Sequence, residues 1–131
     1  MTTTQGMIPF KDVDFAKFPW RIPTDRYTSQ EVNDREREVV WMKIWQIAGR
    51  ADELPNAGDW KTYRIFDQSF VIVRGKDGKL RGFVNACRHR GNVLCEAAKG
   101  HTPKFTCPYH LWTFGLDGEL LAVARPDLVG P

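Results

Sequence analysis

From residue 60 onward, apolar and polar side chains alternate in short runs separated by turns containing glycine and aspartate. Residues 61–66 alternate, and residues 69–74 (SFVIVR) are β-branched and apolar, which suits a strand with at least one buried face. Gly75-Lys76-Asp77-Gly78-Lys79 separates that run from residues 80–86 (LRGFVNA). An Asp-Gly pair accepts the positive φ angles of a tight hairpin, so 80–86 is predicted to fold back on 69–74. Three more short strands are predicted at 105–106, 112–114 and 120–123, the last two joined through Asp117-Gly118. The pattern predicts an antiparallel, mostly β fold.

The first 44 residues follow a different pattern. Pro9, Pro19 and Pro23 stand among Phe10, Phe15, Phe18, Trp20 and several charges. Proline at this density prevents a long helix, and the aromatics predict an arm laid over a surface. Thr28-Ser29-Gln30-Glu31 reads as a T-x-x-E capping box. Val32, Val39, Val40 and Ile44 continue it as a loose 3.6-residue stripe, predicting one helix to about residue 42. Residues 45–49 (WQIAG) then alternate as a strand would. The division expected is an N-terminal arm and helix over 1–44 and a β domain over 45–131.

Composition narrows the function classes. With 131 residues, 42% hydrophobic and 27% charged, the chain is that of an ordinary folded domain. No apolar run approaches the roughly 20 residues of a membrane span. The first 28 residues hold acidic side chains and no continuous apolar stretch, so no secretory signal is read and a cytoplasmic protein is expected. A net charge of +3 is too small to argue for nucleic acid, and neither nucleic acid nor membrane is an expected partner. Three cysteines, an odd number, argue against a disulfide framework and leave the thiols for metal binding, catalysis or burial.

Four of the six Cys and His residues fall in two short pieces, Cys87-Arg88-His89-Arg90-Gly91 and Cys107-Pro108-Tyr109-His110. Seventeen residues separate His89 from Cys107, and each piece follows a predicted strand. Two loops could therefore face each other and hold one metal centre. Zinc in a structural site accepts these residue types, but a zinc finger opens with two Cys and closes with two His. Here each loop offers one thiolate and one imidazole, which suits two irons with different ligand sets. Cys95 and His101 have no partner at ligand spacing; Cys95 is read as buried packing and His101 as a solvated loop residue.

The stretches CRHRG at 87–91 and CPYHLW at 107–112 resemble the [2Fe–2S] motif of Rieske proteins. The resemblance is specifically to the N-terminal Rieske domain of the α subunits of aromatic-ring-hydroxylating (Rieske non-haem iron) oxygenases. It runs over residues 28–126, through the helix, WQIAG, Glu53-Leu54-Pro55, Gly58-Asp59, VIVR at 71–74, GFVN at 82–85 and LDGEL at 116–120. It implies an antiparallel iron–sulfur fold with two cluster-binding loops. By that match Cys87 and Cys107 would bind one iron, and His89 and His110 the other. Arg90 would support the centre by charge and hydrogen bonding and Gly91 as a tight-turn residue, with Tyr109 and Trp112 also beside it. One position departs from the family pattern: glycine usually follows the second histidine, and here it is Leu111. Glycine there normally serves a backbone geometry or a close approach.

The resemblance further implies an electron-transfer role. In such α subunits O2 is activated at a mononuclear Fe(II) site in a larger catalytic domain, held by two histidines and a carboxylate. With His89 and His110 committed to the cluster, His101 alone remains, so that iron is expected outside this chain. The expected electron donor is a reductase or ferredoxin, and the expected acceptor is the catalytic domain of a neighbouring α subunit. The parent is expected to be a homo-oligomer or an α/β hetero-oligomer. The alternatives are a stand-alone Rieske-type ferredoxin and a zinc-stabilised structural module.

Overall fold

The computed structural model describes Asp14 and residues 23–124. The proline- and aromatic-rich arm lies almost wholly outside the described residues, as does the segment from residue 125. The chain divides into two compact units, Met1–Ile44 and Trp45–Pro131.

In the first unit a short helix α1 (Asp25–Thr28) is followed by α2 (Gln30–Glu36), which continues as a wider π-helical turn, Arg37–Trp41. The cap falls one residue later than the capping box predicts. Thr28 is already the last residue of α1, and its hydroxyl donates to Thr24 O at 3.4 Å. Ser29, in an extended conformation, becomes the N-cap, its hydroxyl accepting from Val32 N at 3.4 Å. Glu31 therefore sits one position too early to reach back, and no reciprocal box forms. Val39 and Val40 on the predicted apolar stripe are exposed.

The second unit consists of two antiparallel sheets. The first orders its strands β3-β2-β1-β4, from β1 (Asp59–Ile65), β2 (Gln68–Arg74), β3 (Leu80–Val84) and β4 (Lys99–His101). The second orders them β5-β6-β7, from β5 (Phe105–Thr106), β6 (Thr113–Phe114) and β7 (Leu120–Ala122). The mostly β, antiparallel fold expected from the alternation is the fold found. Period-two burial is clearest in β2, where Val71 and Val73 point inward. With Trp60, Phe105, Phe114 and Leu116 they form the core, and Trp60 meets Phe105 edge-on at 6.3 Å between the two sheets. Cys87, Cys95 and Cys107 belong to this same core.

Two expectations are corrected here. Residues 45–49 form no strand: Trp45 and Ile47 are exposed, Gln46 and Ala48 half-buried. The alternation is real, but among the described residues no neighbouring strand supplies the ladder that a strand requires. His101 is not a loop residue; it closes β4, and its Nδ1 lies 2.8 Å from Asp59 Oδ1 on the paired strand. The segment Lys99-Gly100-His101 carries no strand signal because its central position must be bare. A Cβ on Gly100 would stand 2.6 Å from the Trp60 ring packed across the pair.

Candidate metal centre

Two loops of matching construction carry the candidate ligands. The first follows β3, and the second joins β5 to β6. In the first, Cys87 N donates to Asn92 O at 2.7 Å, and Gly91 N donates back to Cys87 O at 2.8 Å. In the second, Cys107 N donates to Trp112 O at 2.8 Å, and Leu111 N to Cys107 O at 3.0 Å. Each turn closes through a residue with positive φ at the fourth position after the cysteine, Gly91 at +72° and Leu111 at +58°. Such a turn curls the backbone around its own cysteine. The N–H groups of His89 and Arg90 thereby face Cys87 Sγ, and those of Tyr109 and His110 face Cys107 Sγ.

The four residues singled out by spacing come together in pairs. Cys87 and Cys107 lie buried in the core with their sulfurs in contact. His89 and His110 stand outside them, His89 exposed and His110 half-buried, with ring centroids 4.8 Å apart in an edge-to-face arrangement. Each imidazole has its own aromatic neighbour. Trp112 stacks parallel on His89, 4.8 Å away at 5°, and Tyr109 lies against His110 at 3.7 Å. These two contacts set the planes of the rings and narrow the rotamers each histidine can take.

Burial acts differently on the two thiols. Desolvation pushes Cys87 above the ordinary thiol range. At Cys107 desolvation also opposes ionisation, but the Tyr109 and His110 N–H groups, Cys87 and the Asn92 side chain outweigh it and hold the thiol below its ordinary value. The backbone N–H groups and the Asn92 side chain thus favour negative charge at Cys107, the form in which a thiol binds a metal. Asn92 was not singled out by the sequence, nor was Asn85. Asn85 is buried, and its side chain binds both Cys95 N (2.9 Å) and Cys95 O (2.7 Å), fastening the chain after the first loop to the end of β3. The Arg90 guanidinium is at the surface; what reaches the cysteine is the Arg90 backbone N–H.

The donor set, two buried thiols and two neighbouring imidazoles, is of the kind a two-iron cluster takes. Among the described residues no three His, Cys, Asp or Glu side chains are grouped to hold a single metal. A [2Fe–2S] unit asks instead for two pairs, thiolates on one iron and imidazoles on the other. Those are the pairs present.

Cys95 is apart from both pairs. It is buried, and desolvation raises its thiol from 9.0 to about 11. At pH 8 about one part in a thousand is thiolate, so in the folded chain it should resist alkylation that readily labels it in denaturant. Its pKa is raised on folding, so its contribution to stability is complete below about pH 9 and is lost as pH rises toward 11. Cys95→Ser is expected to leave iron loading unchanged; soluble folded protein without iron would overturn this.

Fold and site together define a protein built around a Rieske-type loop pair, and comparison with known proteins agrees. The family model for the Rieske [2Fe–2S] domain matches residues 44–129, and the chain belongs to that family. It is 38% identical over 122 residues to the anthranilate 1,2-dioxygenase large subunit of Acinetobacter baylyi, covering 93% of this chain and 25% of that protein. It is 44% identical over 101 residues to the carnitine monooxygenase oxygenase subunit of Escherichia coli, covering 77% of this chain and 27% of that protein. Among solved structures, naphthalene 1,2-dioxygenase from Rhodococcus sp. superposes with a TM-score of 0.79 at 38% identity, over 85% of this chain and 26% of that one. The chain spans about a quarter of the length of these relatives and corresponds to the Rieske electron-transfer module at the N-terminal part of such large subunits.

Proposed function

We propose that this chain carries single electrons through a [2Fe–2S] cluster held by Cys87 and Cys107 on one iron and by His89 and His110 on the other. The observation that supports this most is the two-and-two arrangement: contacting buried sulfurs behind, contacting imidazoles in front. When bound, such a cluster supplies a one-electron relay, formally neutral when oxidised and singly negative when reduced, with a potential raised by its neutral imidazoles. The chain's own residues do the rest. The four backbone N–H groups and the Asn92 side chain stabilise negative charge on the buried sulfurs. The core around the cysteines keeps water from that side. The exposed edge of His89 and the half-buried His110 leave a short way to the surface.

The parent activity we propose is that of a Rieske non-haem iron oxygenase. A reductase or ferredoxin would supply electrons, and the catalytic domain of a neighbouring α subunit, with its mononuclear Fe(II), would receive them. The assembly would be a homo-oligomer or an α/β hetero-oligomer. Three free cysteines suit a reducing, cytoplasmic setting. Among the described residues no helix is long and apolar enough to cross a membrane.

The reading is tested by analysis of protein purified without added metal. About two irons and two acid-labile sulfides per chain, and the reduced-state EPR signal of a mixed thiolate–imidazole cluster, are expected. One zinc and no sulfide would overturn it. The chain supplied with reductant, O2 and Fe2+ is expected to form no hydroxylated product, since only His101 remains for a second iron and it is already bonded to Asp59.

A further inference from the structure

The two loops are closed by the same pair of backbone hydrogen bonds, yet glycine takes the position of positive φ in one and leucine in the other. For an L-residue with a Cβ that conformation is unfavourable, because the side chain crowds the adjoining backbone. Something near Leu111 must therefore favour it, and equivalent positions of the two loops differ in one respect. The second residue after Leu111 is Thr113, whereas the second after Gly91 is Val93. The residue before Cys107 is Thr106, whereas the residue before Cys87 is Ala86. The glycine loop thus has a hydroxyl at neither place, and the leucine loop has one at both. The Thr113 hydroxyl donates to Leu111 O at 3.2 Å, and Thr106 Oγ1 lies 3.2 Å from Thr113 Oγ1 across the β5–β6 pair. A hydroxyl has a single proton to give. That of Thr113 is committed to Leu111 O, so Thr106 is the donor in the second bond. The result is a directed chain from Thr106 through Thr113 to the Leu111 carbonyl, in which each bond polarises the next. Thr113 is 7% exposed, so water offers its hydroxyl little alternative.

A residue that leaves the left-handed region changes φ and ψ together and so reorients its own carbonyl. Fixing the Leu111 carbonyl opposes that change. On one side of Leu111 is His110. On the other is Trp112, whose ring lies parallel to His89 and whose backbone O accepts from Cys107 N. Resting on the electron-transfer reading above, we propose that Thr113 is a positioning residue for the cluster. Supported by Thr106, its hydroxyl holds Leu111 in the conformation that glycine takes in the other loop, and thereby holds His110 and Trp112 in place. The two hydroxyls do for the second loop what the absence of a Cβ does for the first.

The test is a double-substitution cycle between positions 111 and 113 in the iron-loaded full chain. It is read by the EPR spectrum of the reduced cluster, the rate of bleaching with a chelator and the thermal midpoint. Thr113→Val matches the shape of threonine and removes the hydroxyl. It is expected to broaden the EPR signal, as the His110 imidazole takes more than one orientation, and to speed bleaching about tenfold, as for the loss of one hydrogen bond. Thr113→Ser, which keeps the hydroxyl, should bleach and resonate as the unsubstituted chain does. In the Leu111→Gly background, Thr113→Val should speed bleaching by less than about twofold and leave the EPR signal sharp, because glycine holds positive φ without help. Thr106→Val, at an exposed strand position, should speed bleaching about threefold, since it removes only the outer bond of the chain. Thr113→Val with bleaching and EPR unchanged would overturn the proposal. So would an equal effect of Thr113→Val in both backgrounds, the mark of packing alone. Should Thr113→Val not fold, Thr106→Val decides, and unchanged bleaching in that variant would overturn the proposal. Absence of the cluster's EPR signal in the unsubstituted chain would instead overturn the proposed function itself, while the thermal midpoints of the cycle would still report the coupling of positions 111 and 113.

Discussion

Cys107→Ala is expected to yield a folded chain almost free of iron and sulfide, from about two of each to less than about a tenth of that. Cys107 is the most buried of the four proposed ligands, at 1% exposure, and the one whose thiol is held below its ordinary range. Its replacement removes the donor that the Tyr109 and His110 N–H groups and Asn92 are arranged around, and nothing nearby can substitute. Cys95 is the remaining thiol, held to Asn85 on the other side of the first loop and protonated at neutral pH. The alanine itself leaves only a small void, worth about 1 kcal/mol. The larger loss is the stabilisation that a tightly bound group gives the native state, so the thermal midpoint should fall by more than about 10 °C from that of the loaded chain. Metal and sulfide analysis with differential scanning calorimetry checks both parts. A variant that keeps its sulfide and its EPR signal would remove Cys107 from the ligand set.

Asn85→Ala is expected to destabilise the chain by about 3 kcal/mol although Asn85 touches no proposed ligand. The residue is 2% exposed; its side chain satisfies both backbone groups of Cys95 and also donates to Ser69 Oγ at 3.1 Å. Alanine leaves the Cys95 N–H and carbonyl buried without partners, at about 1–3 kcal/mol each before any relaxation. For a β unit of this size that lowers the midpoint by more than about 10 °C. Because Asn85 lies two residues before Cys87, loosening it should also speed loss of iron to a chelator. Urea unfolding and the rate of bleaching with a chelator measure the two effects. Unchanged stability would mean that water replaces the amide and that the first loop needs no such fastening.

Much of the fold is legible in the order of the amino acids. The strands at β2, β3 and β5 follow from alternation and from the Asp-Gly turn, because a buried face imposes period two on a chain directly. What escapes the sequence depends on partners elsewhere. β4 is strand only because β1 and the Trp60 ring lie beside a bare Gly100, and 45–49 alternates yet pairs with no described strand. Thr28 and Ser29 are equally good caps by residue type, and the role falls to Ser29 because Thr28 is taken by α1. Asn85 and Asn92 carry no spacing signal, since asparagine in a loop is common and only burial shows which ones are needed.

By itself, then, the sequence determined the types of the proposed ligands and their pairing within each loop, because C-x-H and C-x2-H are statements about near neighbours on one backbone. It also determined that the position after His110 breaks with the glycine pattern, without saying what that does to the chain. The tertiary structure decided how the two loops combine. Folding two sheets together brought sulfur to sulfur in the core and imidazole to imidazole at its edge, and stacked Trp112 and Tyr109 on the rings. It also decided that Leu111 sits at positive φ with its side chain in solvent. For the paired sulfurs, the paired imidazoles and the stacking of Trp112 on His89 the reason is the same: local pattern reports on hydrogen bonds and burial that a residue makes with its own segment, while contacts between the two loops exist only once the core has closed.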